Sequence, residues 1–303
     1  MPADVGVIGV GQMGSGIARQ LAAAGRLAAV FHTDAASARS LGLPKSLIAA
    51  TAAEMANLCR FVLFVVPGSA EIDGILTGDS NLLGQIQTGT VLIDLTTSDP
   101  TETRRLARLT QAAGGSYLDC GMTGGAIAAD AGTLTLMVGG EAEALDLARP
   151  VLDVIAQRIF HLGPSGAGHT MKLIHNLVCH TVFLATCEGA RLAEQAGLPL
   201  DRTIEVFNAG NARSFASEVR FPKHIVSGKF DGRSRVANLA KDVGMGIDLA
   251  GRLDQPLAIS RAADLLLRQA IEQGLSDEDF SRLYPALTDL IAGVSDRERE
   301  LAS

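Results

Sequence analysis

The stretch Val5-Gly6-Val7-Ile8-Gly9-Val10-Gly11-Gln12-Met13-Gly14 decides how the rest of this chain is read. An apolar run closing on Gly9-x-Gly11-x-x-Gly14 predicts a strand that turns sharply into a helix. Gly9 takes the turn, Gly11 lets backbone approach a phosphate, and Gly14 lets the helix pack against the strand. The N–H groups of that helix start then face a pyrophosphate. An ordinary glycine-rich loop would show the same three residues, so the neighbours decide. Residues 13–24 carry Ile17, Leu21 and Ala24 at helical spacing before Gly25, and a second apolar run spans Leu27 to Phe31. Strand, glycines, helix and strand fill about the thirty residues of a βαβ unit. The stretch is read as a dinucleotide cradle, with Gln12 and Met13 beside the glycines.

Moving outward, residues 61–66, 91–94, 117–119 and 134–138 are β-rich runs between helical patterns. Continuous apolar strands joined by helices predict an α/β, Rossmann-type doubly wound domain covered on both faces, with ligands beyond the carboxyl ends of its strands. Val66 and Pro67, Asp94-Leu95-Thr96-Thr97 and the glycines from Gly121 to Gly125 follow such ends and are candidates to line one crevice. Past residue 164 the texture changes. A helical stretch of about 165–195 spans roughly 45 Å, with Ser165 as a candidate N-cap and Gly197 as its stop. No comparable strand follows, so the expected organisation is a dinucleotide-binding domain over 1–164 and an all-helical domain over 165–303.

Bulk properties agree. A chain of 303 residues suits two domains, and 47% hydrophobic residues give ample core. A net charge of -7 without a Lys/Arg-rich run argues against nucleic acid or anionic membrane as partner. No apolar run approaches the ~20 residues of a membrane span. Cys59, Cys120, Cys179 and Cys187 form no C-x-x-C pair, which favours reduced thiols over disulfides or zinc ligands. The first strand begins within about five residues, leaving no room for a signal peptide. A cytoplasmic protein without a metal is expected.

Lys172, in Gly168-His169-Thr170-Met171-Lys172-Leu173-Ile174-His175-Asn176, is the candidate for chemistry. Asn176 lies four residues on, so ammonium and amide share a helix face and can bind and orient a hydroxyl. A desolvated lysine can take the hydroxyl proton as hydride leaves the carbon. A solvated lysine on a helix face is the plainer alternative. Thr123-Gly124-Gly125 offers a hydroxyl and two open N–H groups, as an anion nest does, or is simply a flexible turn. Thr96 and Thr97 either reach a cofactor or cap the next helix.

The chain resembles the β-hydroxyacid dehydrogenases, the family of 3-hydroxyisobutyrate dehydrogenase and tartronate semialdehyde reductase, nearly end to end. The resemblance rests on Gly9 to Gly14 with Met13, Asp94 to Thr97, Thr123-Gly124-Gly125 with Ala131-Gly132-Thr133-Leu134, Lys172-x-x-x-Asn176, and Lys241-Asp242. It implies that Lys172 is the acid/base, that Thr123, Gly124, Gly125 and Asn176 bind a small carboxylate-bearing substrate, and that Lys241 reaches the nicotinamide side of the cleft. It also implies homodimers or homotetramers formed through the helical domain. Thr123 stands where serine is usual and Gly121-Met122 replaces Pro-Val, so a wider or more mobile loop is expected. His175 replaces a second Asn and is read as a helix histidine bonding locally. Ser234 replaces a Phe, which makes one pocket wall smaller and more polar.

For cofactor choice, Asp34 lies about 20 residues beyond Gly14, where an acid binds the ribose 2′-hydroxyl of NAD. It also precedes Ala35-Ala36-Ser37 and serves equally as an N-cap. His32-Thr33 aligns with an Asn-Arg pair of many relatives, and the missing arginine favours NAD over NADP. The expected activity is NAD(P)-dependent interconversion of a small β-hydroxy acid and its semialdehyde. An imine reductase of the same architecture and a catalytically silent NAD(P)-binding protein are the alternatives.

Overall fold

The computed structural model describes residues 3–302. The chain divides into two compact units, Met1–Lys172 and Leu173–Ser303. In the first, seven strands form one sheet in the order β2-β1-β3-β4-β5-β6-β7. The strands are β1 Val5–Ile8, β2 Leu27–Phe31, β3 Phe61–Phe64, β4 Val91–Asp94, β5 Ser116–Thr123, β6 Leu134–Gly139 and β7 Ala156–Gly163. The helices between them are α1 Gly14–Ala23, α2 Ala35–Ser40, α3 Glu54–Leu58, α4 Ser69–Thr77, α5 Pro100–Ala112, α6 Gly125–Ala131 and α7 Ala142–Ile155.

Alternation along the strands splits the apolar side chains between two faces. Val5, Val7, Leu63 and Ile93 join Ile17 and Leu21 of α1 in one core, while Ile8, Val62, Phe64 and Leu92 join Met55, Ile72 and Leu106 in the other. Burying one such Leu or Ile contributes about 2 kcal/mol. The chain runs from β1 out to β2 and then crosses back past β1 to β3, so the topological switch lies above the ends of β1 and β3. Two features differ from the parallel pattern of apolar runs. β5 pairs with β6 antiparallel, with Asp119 opposite Gly139 and Gly121 opposite Met137. β7 is an edge strand whose residues after Ala156 are mostly exposed, so it has no apolar run to betray it.

The long helix α8 runs from Ala167 to Gln195. The expected N-cap, Ser165, lies outside its start. Gly166 takes φ +93° and the cap comes from Asp119 on β5. The first turns of α8 pack on the sheet, and the two compact units divide within this helix, between Lys172 and Leu173. At the other end Gly197 takes φ +83°, with Gly197 N–H donating to Glu194 O and Leu198 N–H to Ala193 O.

The second unit holds the rest of α8 with α9 Leu200–Ala209, a π-helical segment Ala216–Val226, α10 Val236–Arg252, α11 Ala258–Glu272 and α12 Leu283–Ala302. Its core gathers Phe183, Phe221, Leu239, Val243, Leu267 and Leu287. Among the described residues it has no strand beyond one isolated bridge, Arg235 with Asp279. No helix among the described residues is long and apolar enough to cross a membrane.

Candidate active site

The three glycines of the opening stretch do different work. A Cβ on Gly9, whose φ is +93°, would strike Val65 O, and a Cβ on Gly14 would strike Gly9 O. Both residues exist for close packing at the β1/β3 switch. A Cβ on Gly11 would meet nothing within 4 Å, which is the open approach that a pyrophosphate needs. α1 begins after Met13 with no side-chain cap, which leaves the helix start beside Gly11 open to a ligand.

The neighbouring strand ends supply further groups. Val66 and Pro67 follow β3, and Thr96 follows β4. Thr96 donates its backbone N–H to Asp94 Oδ1 at 2.9 Å, yet its buried hydroxyl has no partner among the described residues. A buried orphan hydroxyl is costly unless something fills its bond. The next helix, α5, is capped by Asp99, which accepts from Thr101 N–H at 2.7 Å, so Thr96 and Thr97 are not its caps. An open cradle and an unsatisfied hydroxyl at neighbouring strand ends fit a dinucleotide.

Asp34 is engaged as an N-cap of α2. Its carboxylate accepts from Ala36 N–H at 3.0 Å, from Ser37 N–H at 3.0 Å and from Ser37 Oγ at 2.7 Å. The Ser37 hydroxyl first, then those two N–H groups, hold this carboxyl below its ordinary range. His32 and Thr33 follow the end of β2 directly, partly exposed and exposed respectively.

Thr123 ends β5, and Gly124 and Gly125 follow with φ +118° and +67°. Both glycines have positive φ, which a side chain would strain, and Gly124 leaves α6 without a side-chain cap. α6 is fastened to α1: Arg19 meets Asp130 at 2.7 Å, Gln20 donates to Asp130 O, and a Cβ on Gly16 would meet Asp130 N at 2.8 Å. The loop that follows β5 is thus tied to the helix that follows the cradle. Gly121 is not part of a wider loop, as its replacement of Pro led one to expect. It is buried within β5, where a Cβ would lie 2.5 Å from Lys172 Cβ. The lysine stem crosses the strand at the only residue type that leaves room for it.

Lys172 itself is half-buried, six residues into α8. Beneath it lies a polar cluster of which the sequence pattern singled out Asp94 alone. Asp119, wholly buried, accepts from Gly166 N–H at 2.8 Å and from His169 N–H at 2.9 Å. The His169 ring, also wholly buried, bonds Thr103 Oγ1 through Nδ1 at 2.7 Å and has Nε2 3.3 Å from Asp94 O. Asp94 accepts from Ser98 Oγ at 3.1 Å and from Tyr117 OH at 2.9 Å. Burial, then the Asp94 charge, pushes the Tyr117 phenol well up, so it stays a donor. An acid inside the apolar run Tyr117-Leu118-Asp119-Cys120 was the available signal, since a buried carboxylate must find donors.

In the second unit, Asn176 is buried and donates from Nδ2 to Asp242 Oδ2 at 2.6 Å, while its Oδ1 bonds His175 Nδ1 at 3.1 Å. Lys241 Nζ stands 3.6 Å from Asp242 Oδ1. The structure therefore brings Asn176, His175, Lys241 and Asp242 together on α8 and α10. Ser234 precedes α10, two residues before Val236.

Known proteins match this arrangement over nearly its whole length. The family described as the NAD binding domain of 6-phosphogluconate dehydrogenase matches residues 4–163, and that described as NAD-binding of NADP-dependent 3-hydroxyisobutyrate dehydrogenase matches residues 166–287. A probable mitochondrial 3-hydroxyisobutyrate dehydrogenase of Dictyostelium discoideum is 30% identical, covering 93% of this chain and 90% of its own. An NAD-dependent L-serine dehydrogenase of Pseudomonas aeruginosa is 31% identical, covering 92% and 95%. The solved 3-hydroxyisobutyrate dehydrogenase of Mycobacterium tuberculosis, crystallised with L-serine, superposes with a TM-score of 0.86 at 25% identity, over 95% of this chain and 99% of that one. A solved imine reductase of Pseudomonas is more distant, at TM-score 0.65 and 22% identity, and shares the fold alone.

Proposed function

Because this chain belongs to the family of 3-hydroxyisobutyrate dehydrogenase, the NAD(P)-dependent β-hydroxyacid dehydrogenases, we propose that it interconverts a small β-hydroxy acid and its semialdehyde with Lys172 as general acid/base. When bound, NAD(P) supplies the hydride acceptor for oxidation and the donor for reduction. Gly9, Gly11, Gln12, Met13 and Gly14 would hold its pyrophosphate, with Val66, Pro67 and Thr96 along the strand ends and Lys241 toward the nicotinamide. Thr123, Gly124 and Gly125 receive the substrate carboxylate, and Asn176 binds the substrate hydroxyl. The Lys172 amine takes the hydroxyl proton in oxidation, and its ammonium returns a proton to the carbonyl oxygen in reduction.

The observation that carries this reading is the seat of Lys172 on β5, against Gly121 and two residues from Thr123. The test is Lys172→Ala, assayed by reduced-nicotinamide absorbance with a panel starting from L-serine and 3-hydroxyisobutyrate, the acids in the relatives' names. kcat should fall about 10²–10⁴-fold, the span of acid/base catalysis, with cofactor binding intact. Turnover near that of the parent would overturn the assignment.

NAD is the preferred cofactor, because Thr33 brings no cation to a 2′-phosphate. The domains divide the work, with 1–164 binding the dinucleotide and 165–303 binding substrate and forming a homodimer or homotetramer. Exposed Ile174, Val178 and Val182 recur along α8 at helical spacing and support that association. Val178→Glu should shift the molar mass by light scattering toward a monomer, and an unchanged mass would count against this face. Four free thiols suit a reducing compartment, the cytoplasm.

A further inference from the structure

We propose that Asp119 and His169 are positioning residues for Lys172, a clamp that holds the first turn of α8 on the sheet so that the lysine stem lies along Gly121. The proposal rests on Lys172 being the acid/base.

Asp119 directs each of its carboxylate oxygens at a backbone N–H of the start of α8, Gly166 at 2.8 Å and His169 at 2.9 Å. A helix start needs no buried carboxylate for this. Ser165 stands in the local sequence, and a Ser, Thr or Asp next to the helix would satisfy the same groups from solvent. A carboxylate taken wholly out of water is costly unless donors meet it. A local cap fixes only the end of a helix, whereas one reaching in from β5 fixes the helix against the sheet.

The His169 ring adds a second line of attachment. It joins Thr103 of α5 at 2.7 Å and approaches the backbone oxygen of Asp94 at the end of β4 at 3.3 Å. β4, β5 and α5 are thus all connected to one turn of α8. The glycines show how close the fit is. A Cβ on Gly168 would overlap Asp119 O and Met137 O, and one on Gly139 would lie 2.8 Å from Gly168 N. Lys172 follows His169 by less than one helical turn, so any slide or roll of that turn is passed to its Nζ. A misplacement of about 1 Å in a reacting group costs on the order of 10²-fold in rate.

A clamp that only stabilises the fold would show itself differently from one that works through Lys172, and a double-mutant cycle separates them. His169→Ala and Gly121→Ala are made in the parent chain and in the Lys172→Ala chain, with folding checked by thermal unfolding and cofactor binding by nicotinamide fluorescence. In the parent, each should lower kcat on the order of 30-fold while cofactor affinity stays within about twofold. In the Lys172→Ala chain, neither should change the residual rate by more than about threefold. His169→Asn, which keeps a polar atom near the position of Nδ1, should recover most of the kcat lost in His169→Ala.

Equal fold-losses in both backgrounds, or full kcat in His169→Ala, would overturn the clamp. If His169→Ala does not fold, Gly121→Ala and His169→Asn decide by the same criteria. Full turnover in Lys172→Ala alone would overturn the acid/base reading. An inactive Lys172→Ala with a fully active His169→Ala would overturn only the clamp.

Discussion

Two glycine-rich helix starts sit on the same sheet and have opposite fates. At α1, Gly9-x-Gly11-x-x-Gly14 leaves the N–H groups without a side-chain cap and keeps the space over Gly11 clear. At α8, the N–H groups of Gly166 and His169 go to the buried carboxylate of Asp119. The physics is the same in both, since a helix N-terminus attracts an anion and glycine lets the anion's carrier come close. The difference lies in who supplies the anion. At α1 a ligand would supply it, and at α8 the neighbouring strand does. A glycine-rich turn into a helix is therefore a place for an anion, and only the surrounding fold says whether the place is already taken.

Substitutions can break this contrast. The largest effect is expected at Gly11→Asp, where a new carboxylate enters open space. Cofactor affinity, followed by nicotinamide fluorescence, should fall more than about 100-fold while the thermal midpoint stays near that of the parent. Near-normal binding would mean that the cradle does not hold the pyrophosphate. Gly168→Ala tests the occupied site, where the added methyl overlaps backbone atoms of two strands. Stability by urea unfolding should drop by about 1–3 kcal/mol, with any loss of activity following from the fold. An unchanged urea midpoint would show that α8 can lift off the sheet at little cost.

Two smaller effects sharpen the open site. Thr33→Arg places a cation after β2, and kcat/KM with NADP relative to NAD should rise on the order of tenfold. No change in that ratio would remove Thr33 as the reason for NAD preference. Thr96→Val removes the unpartnered hydroxyl. Cofactor affinity should weaken about fivefold, while stability holds or improves slightly, because no bond within the protein is lost. A clear loss of stability would mean that the hydroxyl serves the fold.

This contrast also marks what could be read from the residues alone. Apolar runs located β1 to β6 because a sheet covered on both faces demands them, and the glycine spacing located the cradle. β7 escaped because an edge strand can be exposed and polar, and the antiparallel β5/β6 pair escaped because pairing direction leaves no mark on composition. Lys172 was legible as chemistry mainly through its family setting, since Lys-x-x-x-Asn is ordinary on any helix. The ambiguity of Asp34 was real: spacing allowed both a ribose contact and an N-cap, and local donors on Ser37 engage it in the cap. Asp119 and His169 are about fifty residues apart in sequence, and nothing short of the fold announces that one bonds the other.

The fastening of α6 to α1 through Asp130, Arg19 and Gln20 has a consequence for substrate choice. The two helices follow the two proposed anion seats, the glycine cradle and the loop at Thr123 to Gly125, and their bond keeps those seats at one spacing. Such a pair works as a calliper. Were the dinucleotide seated in one jaw and a carboxylate in the other, the number of carbons between acid group and reacting hydroxyl would be measured against that gauge. Selection among small hydroxy acids would then begin with length, before any pocket wall is consulted.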